Sequence, residues 1–142
     1  GGIVFYVYDN GQHGLIADSL DLSTSLQWYN GTATAINATT DGIGAGKVNT
    51  AMIRISQGSG SYAAQLCATY QGGGFGDWYL PSKYELNLLY QEKTTIGGFT
   101  SGDYWTSTEY STLNAWYQAF GSGYQNNYNK NSTYYVRAIR AF

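Results

Sequence analysis

The run WYLPSKYELNLLY at residues 78–90 restricts the fold of this chain more than any other stretch. Pro81 stands before a helix start, Ser82 can cap it, and Glu85 three residues on completes a capping box. Leu86, Leu89 and Tyr90 then recur on one face, which predicts a helix over Lys83–Gln91. On either side of it the chain is patterned for strands. Ile3–Tyr8 and His13–Ala17 are apolar runs around the turn chemistry of Asp9, Asn10, Gly11 and Gln12, and read as a β-hairpin. Residues 104–107, 115–120 and 134–142 are aromatic and β-branched and read as strands. Between hairpin and helix, residues 26–29 read as a short strand and residues 31–46 as a loop poor in large apolar side chains. Asn49 or Thr50 can cap a further helix with Met52, Ile53 and Ile55 on its apolar face. Gly58-Ser59-Gly60 breaks it before a second short helix through Tyr62, Ala63, Leu66 and Cys67, and residues 71–76 form a glycine loop. An order of hairpin, helices and then strands implies an α+β fold rather than a parallel α/β wind.

At 142 residues the chain is expected to form one domain with a core that needs no covalent staples. Its single Cys67 excludes an intrachain disulfide and reads as a small buried apolar residue. The net charge of −2 is unevenly spread, because all nine acids precede Ser111 while Lys130, Arg137 and Arg140 follow it. Those three cations give the tail a mildly basic character but are too few to track a phosphate backbone, so nucleic acid is not an expected partner. No apolar run approaches the roughly 20 residues of a membrane span, so membrane insertion is not expected either. Gly1-Gly2 leads straight into a strand as if cut from a longer protein, whereas YYVRAIRAF closes like a natural terminus.

From Ser111 onward the composition changes. Trp116, Tyr117, Phe120, Tyr124, Tyr128, Tyr134, Tyr135 and Phe142 alternate with Asn114, Asn126, Asn127, Asn129 and Asn131. Tyrosine offers a large rigid face with a polar tip, and Asn and Ser add adaptable donors and acceptors, which is the chemistry of a recognition surface. The stretch from Tyr124 to Tyr134 cannot all be core, since four Asn and a Lys would each need buried partners. Tyr117, Ser122, Tyr124, Asn126, Asn127, Tyr128, Asn129, Asn131 and Tyr134 are therefore the expected ligand-binding residues. Trp116, Phe120, Val136 and Phe142 are the expected core of this region.

The ordered set GGIVFYVYDNGQHGLIA, GDWYLPSKYELNLLY, YWTSTEY and NAWYQAFGSGYQNNYNKNSTYYVRAIRAF resembles a bacterial and phage family with a C-type-lectin-like fold. The family includes the C-terminal domain of the Legionella collagen-like adhesin and variable proteins of diversity-generating retroelements. The resemblance covers nearly the whole chain. It implies paired N- and C-terminal strands, small antiparallel sheets flanked by two or three short helices, and a ligand surface on the C-terminal strands and loops. In the retroelement branch, Asn codons scatter into Tyr, Ser, Thr and Asp. By that resemblance Trp116, Phe120, Gly123, Val136, Arg137, Arg140 and Phe142 would be fixed frame and the Asn, Tyr, Ser and Thr positions between them variable.

Other chemistries lack their residues. Calcium-dependent lectins of this fold carry Glu-Pro-Asn or Gln-Pro-Asp and Trp-Asn-Asp tripeptides, none of which occurs here, and formylglycine-generating relatives need more cysteine than one. No acid follows Glu109, so the tail has no hard anionic ligand of its own for calcium. His13 has no second His or Cys with which to build a zinc site or triad. Asp77 reads as a turn or cap residue, Ser82 and Glu85 as a capping box, and Gly72-Gly73-Gly74-Phe75-Gly76 lacks the Lys-Ser/Thr of a phosphate loop.

The expectation is a non-enzymatic, cofactor-free binding domain. It would act outside the cell, on a bacterial surface or a phage tail fibre, and recognise a protein or glycan on a target surface. The alternative is an adhesin of fixed specificity for glycans or glycosaminoglycans. Sulfated polymers demand clustered cations, and Lys130, Arg137 and Arg140 would form such a patch only in a homotrimer.

Overall fold

The computed structural model describes residues 1–142. Eight strands and four α-helices follow one another as β1 (Ile3–Tyr8), β2 (His13–Ala17), β3 (Ser23–Gln27), α1 (Ala45–Gln57), α2 (Ala63–Thr69), α3 (Lys83–Gln91), α4 (Lys93–Ile96), β4 (Asp103–Glu109), β5 (Asn114–Ala119), β6 (Gln125–Asn129), β7 (Thr133–Val136) and β8 (Ile139–Ala141). The expected hairpin is β1–β2, and β8 pairs antiparallel with β2, so the two ends of the chain share a three-stranded sheet. The remaining strands form a five-stranded sheet in the order β3-β7-β4-β5-β6. The class is α+β, as expected. Its one departure from an all-antiparallel arrangement is the parallel pairing of β4 with β7 through Tyr104 and Tyr135.

Helix α3 starts and stops where the capping box puts it. Ser82 Oγ accepts from the Glu85 amide at 3.2 Å, and Glu85 Oε2 accepts from the Ser82 amide at 2.9 Å. Glu85 is completely buried and does more than cap its own helix, because its carboxylate also accepts from the Gly44 amide at 2.8 Å and the Gly46 amide at 3.1 Å. It therefore caps α1 from a distant part of the sequence, which explains why α1 begins at Ala45 and not after Asn49 or Thr50. A Cβ at Gly46 would collide with this carboxylate and with the Leu80 carbonyl, so glycine is the residue that fits. Asn49 and Thr50 lie inside the helix, buried, bonded to Thr40 and Leu80 respectively. Of the expected apolar face, Ile53 is buried, Met52 is half-buried, and Ile55 stands in solvent.

Two apolar clusters lie on opposite sides of the five-stranded sheet. One gathers Tyr104 and Phe120 from the sheet with Leu86 and Leu89 of α3 and Leu15 and Ile139 of the small sheet. The other gathers Trp105, Ala115 and Val136 with Trp28, Ile53, Tyr62 and Cys67. Cys67 is the expected buried thiol, and burial pushes its pKa up. The indoles of Trp28 and Trp105 donate to the Thr106 carbonyl at 2.7 Å and the Leu26 carbonyl at 2.9 Å, which knits β3 and the chain after it onto β4.

Phe120 and Val136 are core residues, as expected, but Trp116 and Phe142 are not. Trp116 is half-buried under the Lys83 ammonium, 3.9 Å from its ring, with Tyr110 edge-on at 5.5 Å. It packs against Lys83 in the first turn of α3 and Tyr110 of the β4–β5 turn, and joins neither apolar cluster. Phe142 is 40% exposed because β8 is an edge strand, and its ring lies across Gly14.

Two of the three cations of the tail turn inward, and the third is paired at the surface. Lys130 is buried, donating to Glu109 at 2.8 Å, to the Thr112 carbonyl at 2.8 Å and to the Thr34 carbonyl at 3.1 Å. Arg137 is buried and reaches Asp21 at 2.7 Å, the Asp18 carbonyl at 2.8 Å and the Gly98 carbonyl at 2.7 Å. Arg140 forms a two-pronged pair with Asp77 at 2.7 and 3.0 Å, so Asp77 is an ion-pair partner rather than a cap. The expected basic face is absent for this reason.

Burial pulls the Lys130 ammonium below the usual lysine range despite the adjacent carboxylate, so the pair fixes position more than it adds net stability. Lys130→Met is expected to destabilise the fold by about 3–5 kcal/mol in urea denaturation, because it strands the buried Glu109 carboxylate. Pairing it with Glu109→Gln should recover part of that loss. Additive losses in the double variant would show that the two side chains are not coupled.

Candidate ligand-binding surface

The register of the large sheet decides which tail residues meet. Leu26 of β3 pairs with Tyr134 of β7, Trp105 of β4 pairs with Tyr117 of β5, and Tyr117 pairs with Asn126 of β6. Residues directly opposite in a ladder share a face, and residues two apart on one strand do too. Asp103 and Tyr128 therefore join Trp105, Tyr117 and Asn126 on the face that does not carry α3. Tyr134 packs on the same group, its ring centroid 4.4 Å from Trp105, 5.1 Å from Tyr117 and 6.5 Å from Tyr128. Tyr124, at the mouth of the β5–β6 turn, accepts through its hydroxyl from the Asn126 side-chain Nδ2 at 3.3 Å.

This face is graded from rigid to open. Trp105 is fully buried beneath it, Tyr117 and Tyr134 are half-buried, and Tyr124 and Tyr128 are 61% and 55% exposed. Burial raises the phenol of Tyr117 and pushes that of Tyr134 up to about 12, with the Asp103 charge adding to both. The two inner phenols are thus held as neutral donors at physiological pH, set on a fixed indole floor. The arrangement suits contact with a ligand through aromatic faces and hydroxyl hydrogen bonds.

Five of the nine expected binding residues, Tyr117, Tyr124, Asn126, Tyr128 and Tyr134, come together here. The others lie apart. Asn127 points to the opposite face, where its Oδ1 accepts from Asn114 at 2.9 Å. Asn129 and Asn131 shape the β6–β7 turn, the Asn129 carboxamide oxygen accepting from the Asn131 amide at 3.0 Å. Ser122 is exposed in the β5–β6 turn and accepts from the Tyr124 amide at 3.3 Å. Asn126, Asn127 and Asn129 are half-buried rather than open, because residues 125–129 form a strand and not the free loop their composition suggests. Asparagine is a poor strand former, and tertiary pairing with β5 overrides that preference.

Sequence reasoning missed Asp103, which precedes the tail and reaches the tyrosine face only through the β4–β5 register. It also missed Lys83 and Tyr110, which flank Trp116 on the other face. An open cleft of about 420 Å³, lined by Lys93, Gly98, Phe99, Ser101 and Phe120, is elsewhere. Its one cation, Lys93, is already bonded to the Phe120 carbonyl at 2.7 Å and lies over Tyr90. His13 is an exposed residue 3.7 Å from Asp9.

Comparison with known proteins agrees with the architecture. A crystal structure of a fimbrial protein from Bacteroides ovatus ATCC 8483 superposes with a TM-score of 0.63 at 15% identity, over 91% of this chain and 36% of the other. At that identity the likeness shows the fold alone, and the chain spans about a third of that protein's length. No curated protein sequence matches significantly. The family model of the Lcl C-terminal domain matches residues 18–140, from the end of the N-terminal hairpin into β8. The chain belongs to the Lcl C-terminal domain family, to which the C-terminal domain of the Legionella collagen-like adhesin gives its name.

Proposed function

We propose that this is a non-enzymatic adhesin domain that binds a molecule on a target surface through the tyrosine face of its five-stranded sheet. The observation that carries this reading is the convergence of Tyr117, Tyr124, Tyr128 and Tyr134 over buried Trp105, with the outer two rings largely in solvent. Exposed aromatic clusters of this kind mark interaction sites. Family membership and the fimbrial neighbour favour the same class of role, at a cell surface. The acids and hydroxyls that a catalytic reading would use are consumed by structure: Ser82 and Glu85 cap two helices, and Asp77 holds Arg140.

The family match supports an adhesin-type domain, and β6 is compatible with either a fixed or a retroelement-diversified surface. It is an edge strand held by backbone pairing, so exchange of Tyr124, Asn126 or Tyr128 would leave the frame intact. A near-identical repeat differing at adenines beside a reverse transcriptase gene would identify a diversified copy. The glycosaminoglycan alternative is disfavoured by the pairing of Lys130, Arg137 and Arg140 with Glu109, Asp21 and Asp77.

Adherence of the labelled domain to intact target cells tests the proposal. Tyr124→Ala and Tyr128→Ala should each weaken binding by about 1–3 kcal/mol with an unchanged melting temperature. Trp105→Ala should instead cost about 3–5 kcal/mol of stability. Adherence undiminished in the Tyr124→Ala/Tyr128→Ala double variant would refute this assignment of the surface.

A further inference from the structure

The tyrosine face carries one charge, and it is negative. Asp103 stands at the start of β4, opposite Ala119 and on the same face as Trp105 and Tyr117. It is half-buried, with no hydrogen bond or ion pair to its carboxylate. Burial raises its pKa, with no basic neighbour to offset the effect. The charged and titratable groups facing it are Tyr117 of β5 and Tyr134 of β7, with Tyr124 and Tyr128 of β6 beyond them. The cations that might neutralise it are committed elsewhere: Lys130 to Glu109, Arg137 to Asp21, Arg140 to Asp77, Lys83 to Trp116 and Lys93 to Tyr90.

An unpaired carboxylate beside several electron-rich ring faces is the arrangement that receives a cation. The ring quadrupoles attract it, the carboxylate pairs with it, and partial desolvation strengthens both interactions. Arginine suits the site better than a compact ammonium, because its planar guanidinium can stack on a phenol while forking onto the carboxylate. A sulfated or carboxylated polymer would meet Asp103 with like charge and find no cation on this face.

Resting on the adhesin reading above, we propose that the ligand is a protein segment whose arginine side chain seats among Tyr117, Tyr128 and Tyr134 and pairs with Asp103. The face thus selects a basic partner and rejects an anionic one. A half-buried carboxylate without a partner is retained in the free domain because the partner supplies the missing charge.

The test uses a peptide of alternating Arg and Gly, the same peptide with citrulline in place of arginine, and a heparin tetrasaccharide, each titrated into the domain by NMR. The arginine peptide is expected to shift the ring resonances of Tyr117, Tyr128 and Tyr134, and the citrulline peptide to bind at least about tenfold more weakly. Asp103→Asn should weaken the arginine peptide about tenfold, while Asp103→Glu, which keeps the charge, should retain most of the affinity. Because the folded-state pKa of Asp103 is raised, wild-type binding should be full above that value and fall as pH drops through it, and Asp103→Asn should lose this dependence. Equal binding of the arginine and citrulline peptides, equal binding by Asp103→Asn and wild type, or occupation of the face by heparin would each overturn the inference. Loss of the inference with adherence still sensitive to Tyr124 and Tyr128 leaves the surface assignment standing. Adherence insensitive to those tyrosines removes both.

Discussion

The Lys130 ammonium holds one end of the large sheet and its loops together. It sits at the end of β6 and donates to Glu109 at the end of β4, to the carbonyl of Thr112 in the β4–β5 turn and to that of Thr34 in the long loop before α1. Its ammonium also lies 4.7 Å from the centre of the Trp28 ring. Glu109 completes the arrangement by accepting from the amides of Ile36 and Asn37, at 3.0–3.1 Å, and Asn37 takes the left-handed conformation this requires, with φ of 62°. Three loops and two strands are thereby pinned to one buried ion pair. Charges in that position are expensive to bury, and what they contribute is specification of geometry. With the turns on both sides of β5 and β6 fixed, the strands that carry the tyrosines have one register.

A second buried carboxylate does the same work on the helical side. The Glu85 carboxylate accepts four hydrogen bonds, two from the Gly44 and Gly46 amides that tie α3 to the start of α1, one from the Ser82 amide and one from the Tyr79 hydroxyl at 3.1 Å, and burial raises its pKa against the opposing pull of its donors. Helix α3 is thus anchored beneath β4 and β5 and covers one face of the large sheet. The opposite face packs Trp105, Ala115 and Val136 into the second core cluster and carries the proposed tyrosine contact surface on its uncovered part. Separation of scaffold from display follows from this division, because Tyr124 and Tyr128 can change without touching either buried acid.

Much of the fold could be read in the sequence wherever the determinants were local. The hairpin of β1 and β2 and the span of α3 follow from turn residues and a capping box within a few positions of each other. The start of α1 was not legible, since its cap comes from Glu85, about forty residues downstream. Strand β6 was hidden because Gln125, Asn126, Asn127 and Asn129 disfavour strands locally and are recruited by pairing with β5. The cations misled in the same way. Their clustering in the tail suggested a basic face, but each finds its acid far off in sequence: Arg137 meets Asp21, Arg140 meets Asp77, and Lys130 meets Glu109. For the candidate surface, composition pointed to the right segment, whereas the choice of Tyr117, Tyr124, Asn126, Tyr128 and Tyr134 over Asn127, Asn129, Asn131 and Ser122 depends on strand alternation. That alternation becomes visible only once β6 is known to be a strand.

Tyrosines are spread over the whole molecule, which gives the central claim a built-in set of controls. Tyr8, Tyr84 and Tyr110 are exposed away from the sheet face, at 39%, 44% and 56%. Hydroxyl-radical footprinting of the domain, free and bound to the surface it adheres to, measures the protection of every ring in one experiment. Protection is expected at Tyr117, Tyr124, Tyr128 and Tyr134, with Tyr8, Tyr84 and Tyr110 labelled equally in both states. Protection centred on Tyr8, Tyr84 or Tyr110, with Tyr124 and Tyr128 still fully reactive in the bound state, would contradict the assignment of the tyrosine face as the ligand surface.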